Sequence, residues 1–135
     1  MYRYVECSKY EGKTVRTGGV TRRSLKALKH LPKIGTPTLC RGYTYFGTHE
    51  TTHIGVVVRG TNGSLRFGGF AWGYYGEGCR GLEQLFKALN IQVSPFTDLG
   101  QWPNYNDVRE HWRIALPSGE VTVHPKPSQD AQNVA

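Results

Sequence analysis

The chain has 135 residues and a mass of 15.2 kDa, room for one compact domain. Its 38% hydrophobic and 12% aromatic content supports a packed core and excludes a disordered chain. A formal net charge of +7 points to an anionic partner, and the longest aliphatic run, Ile54-Gly55-Val56-Val57-Val58, is far short of the ~20 residues of a membrane helix.

The opening MYRYVECSKYEGK has no apolar stretch of the kind that marks a secretory signal. Three widely spaced cysteines, Cys7, Cys40 and Cys79, suggest neither a disulfide framework nor a zinc knuckle, so a reducing cytoplasm is expected. The charge is unevenly placed: ten of the 17 basic residues but only two of the ten acidic ones fall in residues 1–41. An excess of that kind serves solubility or draws in nucleic acid, a phosphorylated small molecule or an acidic protein surface.

In chain order, Tyr2–Cys7 alternates as a short strand, with Lys13–Thr17 as its expected partner. Thr21 is placed to cap a helix over 21–31, with Leu25, Leu28 and Leu31 on its inner face, Arg22, Arg23, Lys26 and Lys29 on its outer face, and Pro32 as its stop. Leu39–Phe46, Thr52–Arg59 and Ser64–Tyr74 read as three strands of an antiparallel meander, the last two joined at Asn62-Gly63, whose residues tolerate positive φ. Leu82, Leu85, Phe86 and Leu89 share one face of a helix over 81–90. Val93–Pro103 reads as loop, with Asn104 or Asn106 capping a helical turn. His111–Leu116 and Glu120–His124 form a second hairpin across Pro117-Ser118-Gly119, and 125–135 has the composition of a tail. The expected fold class is α+β: one domain over 1–124, in which a basic unit at 1–41 precedes an antiparallel sheet of about five strands with the 81–90 helix packed on it.

Three patterns could carry chemistry. His49-Glu50-Thr51-Thr52-His53 is a formal HExxH, which binds zinc only when the two histidines share a helical face. The β-branched surroundings favour a strand, where four residues separate the histidines by about 13 Å, so a small zinc hydrolase stands only as a further alternative. Gly76-Glu77-Gly78-Cys79-Arg80-Gly81 opens the 81–90 helix as a GxGxxG. Amides at a helix start favour an anion, and Arg80 adds donors; equally, the glycines make a tight strand-to-helix turn. Finally, Phe67, Phe70, Trp72, Tyr74 and Tyr75 interleave with Arg59 and Arg66, with Tyr43 and Tyr45 on the neighbouring strand. One such row is core; a second, if open, suits base stacking and phosphate contact. No nucleophile elbow, activated cysteine or general-acid pair is present, and no cofactor is implied.

At Gly69-Phe70-Ala71-Trp72-Gly73-Tyr74-Tyr75-Gly76-Glu77-Gly78, leading into the helix from Leu82, the chain resembles an uncharacterised family of small bacterial, archaeal and phage proteins. That family's signature runs Ser-Pro-Thr-Gly-Phe-x-Trp-Gly-Tyr-x-Gly-Ser-Gly-Pro, and the likeness extends over about residues 40–123, including HWRIALPSGEVTV. Phe67-Gly68 stands in place of Ser-Pro and Cys79 in place of the last proline, while the basic first 40 residues have no counterpart. The resemblance implies a phage or mobile-element association and supplies no catalytic residues; the functional expectation extends to a phage protein that counters host defence, which if phage-encoded works in the host-cell cytoplasm.

The expectation is therefore a non-enzymatic binder of nucleic acid or a nucleotide-type ligand. Gly76, Gly78, Arg80 and Gly81 hold phosphate, Arg59 and Arg66 assist, Tyr43, Tyr45 or Tyr75 stack on a base, and Arg22, Arg23, Lys26 and Lys29 steer. The alternative is a protein-interaction module that sets the basic helix against an acidic partner. The oligomeric state stays open.

Overall fold

The computed structural model describes residues 2–4, 9–10, 13–14, 17–46, 52–104 and 106–125, with side chains from Thr21 onward, Arg23 excepted. Among them, β1 (Tyr2–Tyr4), β4 (Pro37–Phe46), β5 (Thr52–Gly60), β6 (Gly63–Gly68), β7 (Glu110–Ala115) and β8 (Val121–Val123) form one sheet in the order β1-β6-β5-β4-β7-β8. Every pairing from β6 to β8 is antiparallel, as expected, while β1 joins β6 in parallel. A separate two-residue ladder pairs β2 (Lys9–Tyr10) with β3 (Lys13–Thr14). The expected pairing of Tyr2–Cys7 with Lys13–Thr17 is thus corrected: Tyr2–Tyr4 finds its partner in β6, which places the start of the basic unit within the main sheet.

Alternation along the strands separates two faces. Cys40, Val56, Val58, Leu65, Phe67, Trp112 and Ile114 point into the core, and all but Trp112 alternate regularly with outward neighbours. Between β4 and β7 the register slips: Gly42 pairs with Trp112 but Tyr43 pairs with Glu110, leaving His111 as an extra residue. This bulge turns His111 and Trp112 both inward. Gly42 admits the Trp112 indole, since a Cβ there would stand 2.7 Å from Cζ2 and closer still to Cε2 and Nε1.

The helices cover the inner face. Helix α2 (Glu77–Ala88) drives Leu82, Leu85 and Phe86 into the core, where Phe86 meets Trp112 edge-on at 5.8 Å. Each such side chain contributes about 1.5–3 kcal/mol by leaving water. The helix starts four residues earlier than expected, at Glu77 after the extended Gly76, and ends in a turn in which Asn90 takes φ 60°. Helix α1 (Thr17–Ala27) also begins earlier than expected, so Thr21 is interior rather than a cap. Its buried stripe is the small-residue set Thr21, Ser24 and Ala27, with Leu25, Leu28 and Leu31 only partly buried. Small residues win because the helix lies close to the end of β6: the Thr21 hydroxyl donates to the Gly69 carbonyl at 2.8 Å, and the Ser24 hydroxyl to that of Gly68 at 2.6 Å. Pro32 does not stop the chain's helical path, which continues as a 3-10 segment over Leu28–Ile34 and buries Ile34. A 3-10 turn accepts proline where the α-helical pattern of hydrogen bonds has already been abandoned.

Two further expectations change. In the β5–β6 turn neither Thr61 nor Asn62 takes positive φ; Gly63 does, at 146°, while the Thr61 and Asn62 amides donate to Thr36 and Ile34 carbonyls. The β6 strand stops at Gly68, so Phe70, Trp72 and Tyr74 do not alternate across a sheet: Phe70 and Trp72 are core and Tyr74 is exposed. The expected cap at Asn104 is an Asx turn instead, its Oδ1 accepting from the Asn106 amide. The β7–β8 hairpin stands as expected. The proposed tail lies, beyond Pro125, outside the described residues.

Candidate functional site

Helices α1 and α2 pack against the inner face, and the outward positions of β4 to β7 carry a different chemistry. The register sets Arg66 beside Val57, Val57 beside Arg41 and Arg41 beside Arg113, a row across four strands. The next row holds Gly55, Tyr43 and Glu110, and the one beyond pairs His53 with Tyr45. Arg59 lies on the other side of the arginine row, between Leu39 and Ser64.

These side chains touch. The Arg66 guanidinium sits 5.2 Å from the Tyr45 ring centre and 5.8 Å from that of Tyr43, and Arg41 lies 5.0 Å from the Tyr43 ring. Tyr43 and Tyr45 are 5.4 Å apart, and Tyr45 stacks on His53 at the same distance. Tyr43 leans across Gly55, where a Cβ would come within 3.2 Å of its hydroxyl. It is buried under the arginines, whereas Tyr45 and His53 are half exposed and Arg66 exposed.

Glu110 anchors the β7 side. It accepts from Arg113 at 3.0 Å, pairs with Arg41 at 3.6 Å and lies 2.7 Å from His124 Nε2. Burial works to raise its pKa, but the Arg113 and His124 hydrogen bonds and the charges of Arg113 and Arg41 outweigh burial and hold it below the usual carboxylate range. One carboxylate thus fixes two arginines in the plane of the sheet without neutralising the face, to which Arg59 and Arg66 also contribute.

The site residues expected from sequence fall into separate groups. Tyr43, Tyr45, Arg59 and Arg66 come together on the open face. Gly76, Gly78, Gly81, Arg80 and Tyr75 lie in the helical layer. Gly78, Arg80 and Gly81 are inside α2 rather than in a loop, and the glycines answer to packing. A Cβ at Gly78 would stand 2.7 Å from the Gly69 carbonyl oxygen, and one at Gly81 2.8 Å from both Phe70 and Thr21. Glu77 already places a carboxylate in the first turn, where an anion would otherwise be favoured. Tyr75 is 75% exposed but stacks on Phe96 at 4.8 Å, away from the sheet rows. Arg22, Lys26 and Lys29 are exposed on the α1 side.

His49 and Glu50 lie outside the described residues, while His53 is in β5, so the helical spacing a zinc HExxH needs is not met at its second histidine. Among the described residues no group of three or more histidine, cysteine or acidic side chains is placed to hold a metal ion. Nor is any described helix long and apolar enough to cross a membrane.

A cavity of about 260 Å³ opens beside the β7–β8 edge, between the 99–104 loop and the segment Asp107–His111. Arg109 donates through Nε to both oxygens of Asp107, at 2.9 and 3.0 Å. His111 lies 3.1 Å from the Thr44 hydroxyl, which itself donates to the Asp107 carbonyl and accepts from the Arg109 amide. Thr44 is therefore a node that ties β4 to the bulge, its hydroxyl fully engaged. Burial first, then the charge of Arg109, lowers the His111 pKa against the opposing pull of Asp107.

Sequence reasoning missed Arg41 and Arg113 as members of the face, and Trp102, Asp107, Arg109 and His111 as neighbours around one cavity. The alternation of Arg41, Tyr43 and Tyr45 was a usable signal for the first; nothing local announces the cavity. No protein-family model, no curated protein and no solved structure matches this chain.

Proposed function

We propose that this protein binds single-stranded nucleic acid across the open face of its sheet. The observation that carries the reading is Arg66 lying over both Tyr43 and Tyr45, on a row that continues to Arg41 and Arg113. Guanidinium groups interleaved with rings meet phosphate and base together, and stacking on rings requires unpaired bases. Tyr45 and His53 offer the more accessible ring surface; Tyr43 underlies Arg41 and Arg66 and positions them. Arg22 and Lys26 on α1, with Lys29 on the 3-10 segment that follows it, add long-range attraction for an anionic strand.

Fluorescence anisotropy with labelled single-stranded oligonucleotides tests this. Affinity falls steeply between about 50 and 200 mM salt, because each phosphate contact releases counterions with a slope of about −0.7 per contact on single strands. An affinity that is undetectable at low salt, or equal for duplex and single strand, overturns the proposal.

A further inference from the structure

We infer that the cavity beside the β7–β8 edge is a pocket for one nucleobase, a reading that takes its ligand class from the proposed single-strand binding. At about 260 Å³ it lies just under the roughly 300–1,000 Å³ of ordinary small-molecule pockets, room for a planar heterocycle. Its wall includes Trp102, which is held edge-on by Trp72 at 5.0 Å and by Tyr74 at 5.8 Å, so the indole is fixed in place before any ligand arrives. The polar lining is balanced: the Arg109 guanidinium is paired with Asp107, and His111 is almost wholly buried, which lowers its pKa. A phosphate would find no uncompensated charge there. An uncharged base, with donors and acceptors along its edge, meets an aromatic wall, the Asn104 amide and the paired Asp107 and Arg109.

Continuity with the open face adds the second argument. His124 lines the cavity and hydrogen-bonds Glu110, the same carboxylate that holds Arg41 and Arg113 on the sheet. His124 therefore joins the cavity wall to the carboxylate that anchors the arginines, and a base at the end of a strand that rounds this edge of the sheet enters the cavity. The sheet face supplies affinity for any sequence; the pocket supplies a preference among bases.

Titration of the four nucleosides into isotope-labelled protein, followed by NMR, tests the pocket without the sheet face. At least one nucleoside is expected to shift the Trp102 indole N–H and the Gly100 amide in a saturable way. Val123→Trp, a substitution at a 39% exposed position on the cavity wall, abolishes that shift in a protein whose unchanged Tm shows it folded. Asn104→Ala weakens binding about fivefold, the loss of roughly one hydrogen bond. No saturable shift with any nucleoside at millimolar concentration overturns the inference, whatever oligonucleotides do on the sheet, and a shift that survives Val123→Trp in the folded variant does the same. Nucleosides that fill the cavity while oligonucleotides fail to bind uphold the pocket and remove the sheet-face reading instead.

Discussion

Gly42 and Trp112 stand opposite each other on β4 and β7, and the indole occupies the space that any side chain at position 42 would need. The pair links core to surface: Trp112 is fully buried on one side of the sheet, and Arg41 and Tyr43, the neighbours of Gly42, form the open face on the other. Gly42→Ala is expected to cost about 1–3 kcal/mol through overpacking, because the nearest atoms belong to a ring wedged among Trp72 and Phe86. Chemical denaturation measures this, and a variant as stable as the parent would show that the indole has room to retreat.

Tyr45 carries the stacking surface in the proposed interface. Tyr45→Ala should weaken single-strand binding by about 1–3 kcal/mol at fixed salt, while Tyr45→Phe keeps nearly all of it, since the ring face is what a base contacts. Arg66→Ala behaves differently: it lowers affinity and also flattens the salt dependence by about 0.7 in slope. Anisotropy titrations at several salt concentrations separate the two. Equal slopes for the parent and Arg66→Ala would take Arg66 off the phosphate path.

Gly78→Ala discriminates packing from anion binding in the GxGxxG segment. Alanine would favour the helix by about 1 kcal/mol on propensity alone, yet the Gly69 carbonyl at 2.7 Å and the Ala71 Cβ at 2.9 Å leave no space for it. The expected result is a lower Tm with unchanged oligonucleotide affinity in the folded fraction. Arg80→Ala should alter neither, and a marked loss of affinity in either variant would return the first turn of α2 to the binding site.

Acidification should destabilise the fold in two stages. The His111 pKa is lowered in the folded state, so the unfolded chain binds the extra proton; the contribution is complete above about pH 6.5 and is lost as pH falls toward and through the folded value. Glu110 is likewise depressed, but its contribution is present above about pH 4.3 and disappears only in stronger acid. Tm measured from about pH 7.5 down to 5.5 should therefore fall in the parent and fall less in His111→Gln, which starts lower and retains the contribution of His30, whose pKa burial and the charges of Lys33 and Lys29 also lower. A flat parent curve across that window would show that His111 accepts its proton in place.

Much of the architecture was legible from short-range pattern. The meander of β4, β5 and β6 follows from β-branched runs separated by turn residues, and α2 follows from Leu82, Leu85 and Phe86 at helical spacing. The misplacements share a cause. Thr21, Ser24 and Gly81 owe their positions to close contact between α1, α2 and the end of β6, a contact between distant parts of the chain that no window of neighbouring residues contains. The small residues that permit it look, in isolation, like a cap, a polar helix face and a loop.

By itself the sequence determined the charge bias, the α+β class and the interleaving of Arg41, Tyr43 and Tyr45, because each depends on composition or on a period of two or 3.6 residues. It determined that the strands have two faces, but not which one the helices would cover. Tertiary structure decided that by sending Leu82, Leu85 and Phe86 of α2 to the Val56 and Trp112 side, which left the arginines and tyrosines on the other. It also placed the bulge at His111, which turns Glu110 outward to hold Arg41 and Arg113 and turns His111 inward beside the cavity. A register slip between β4 and β7 is a property of two strands meeting, and so it has no signature in either strand alone.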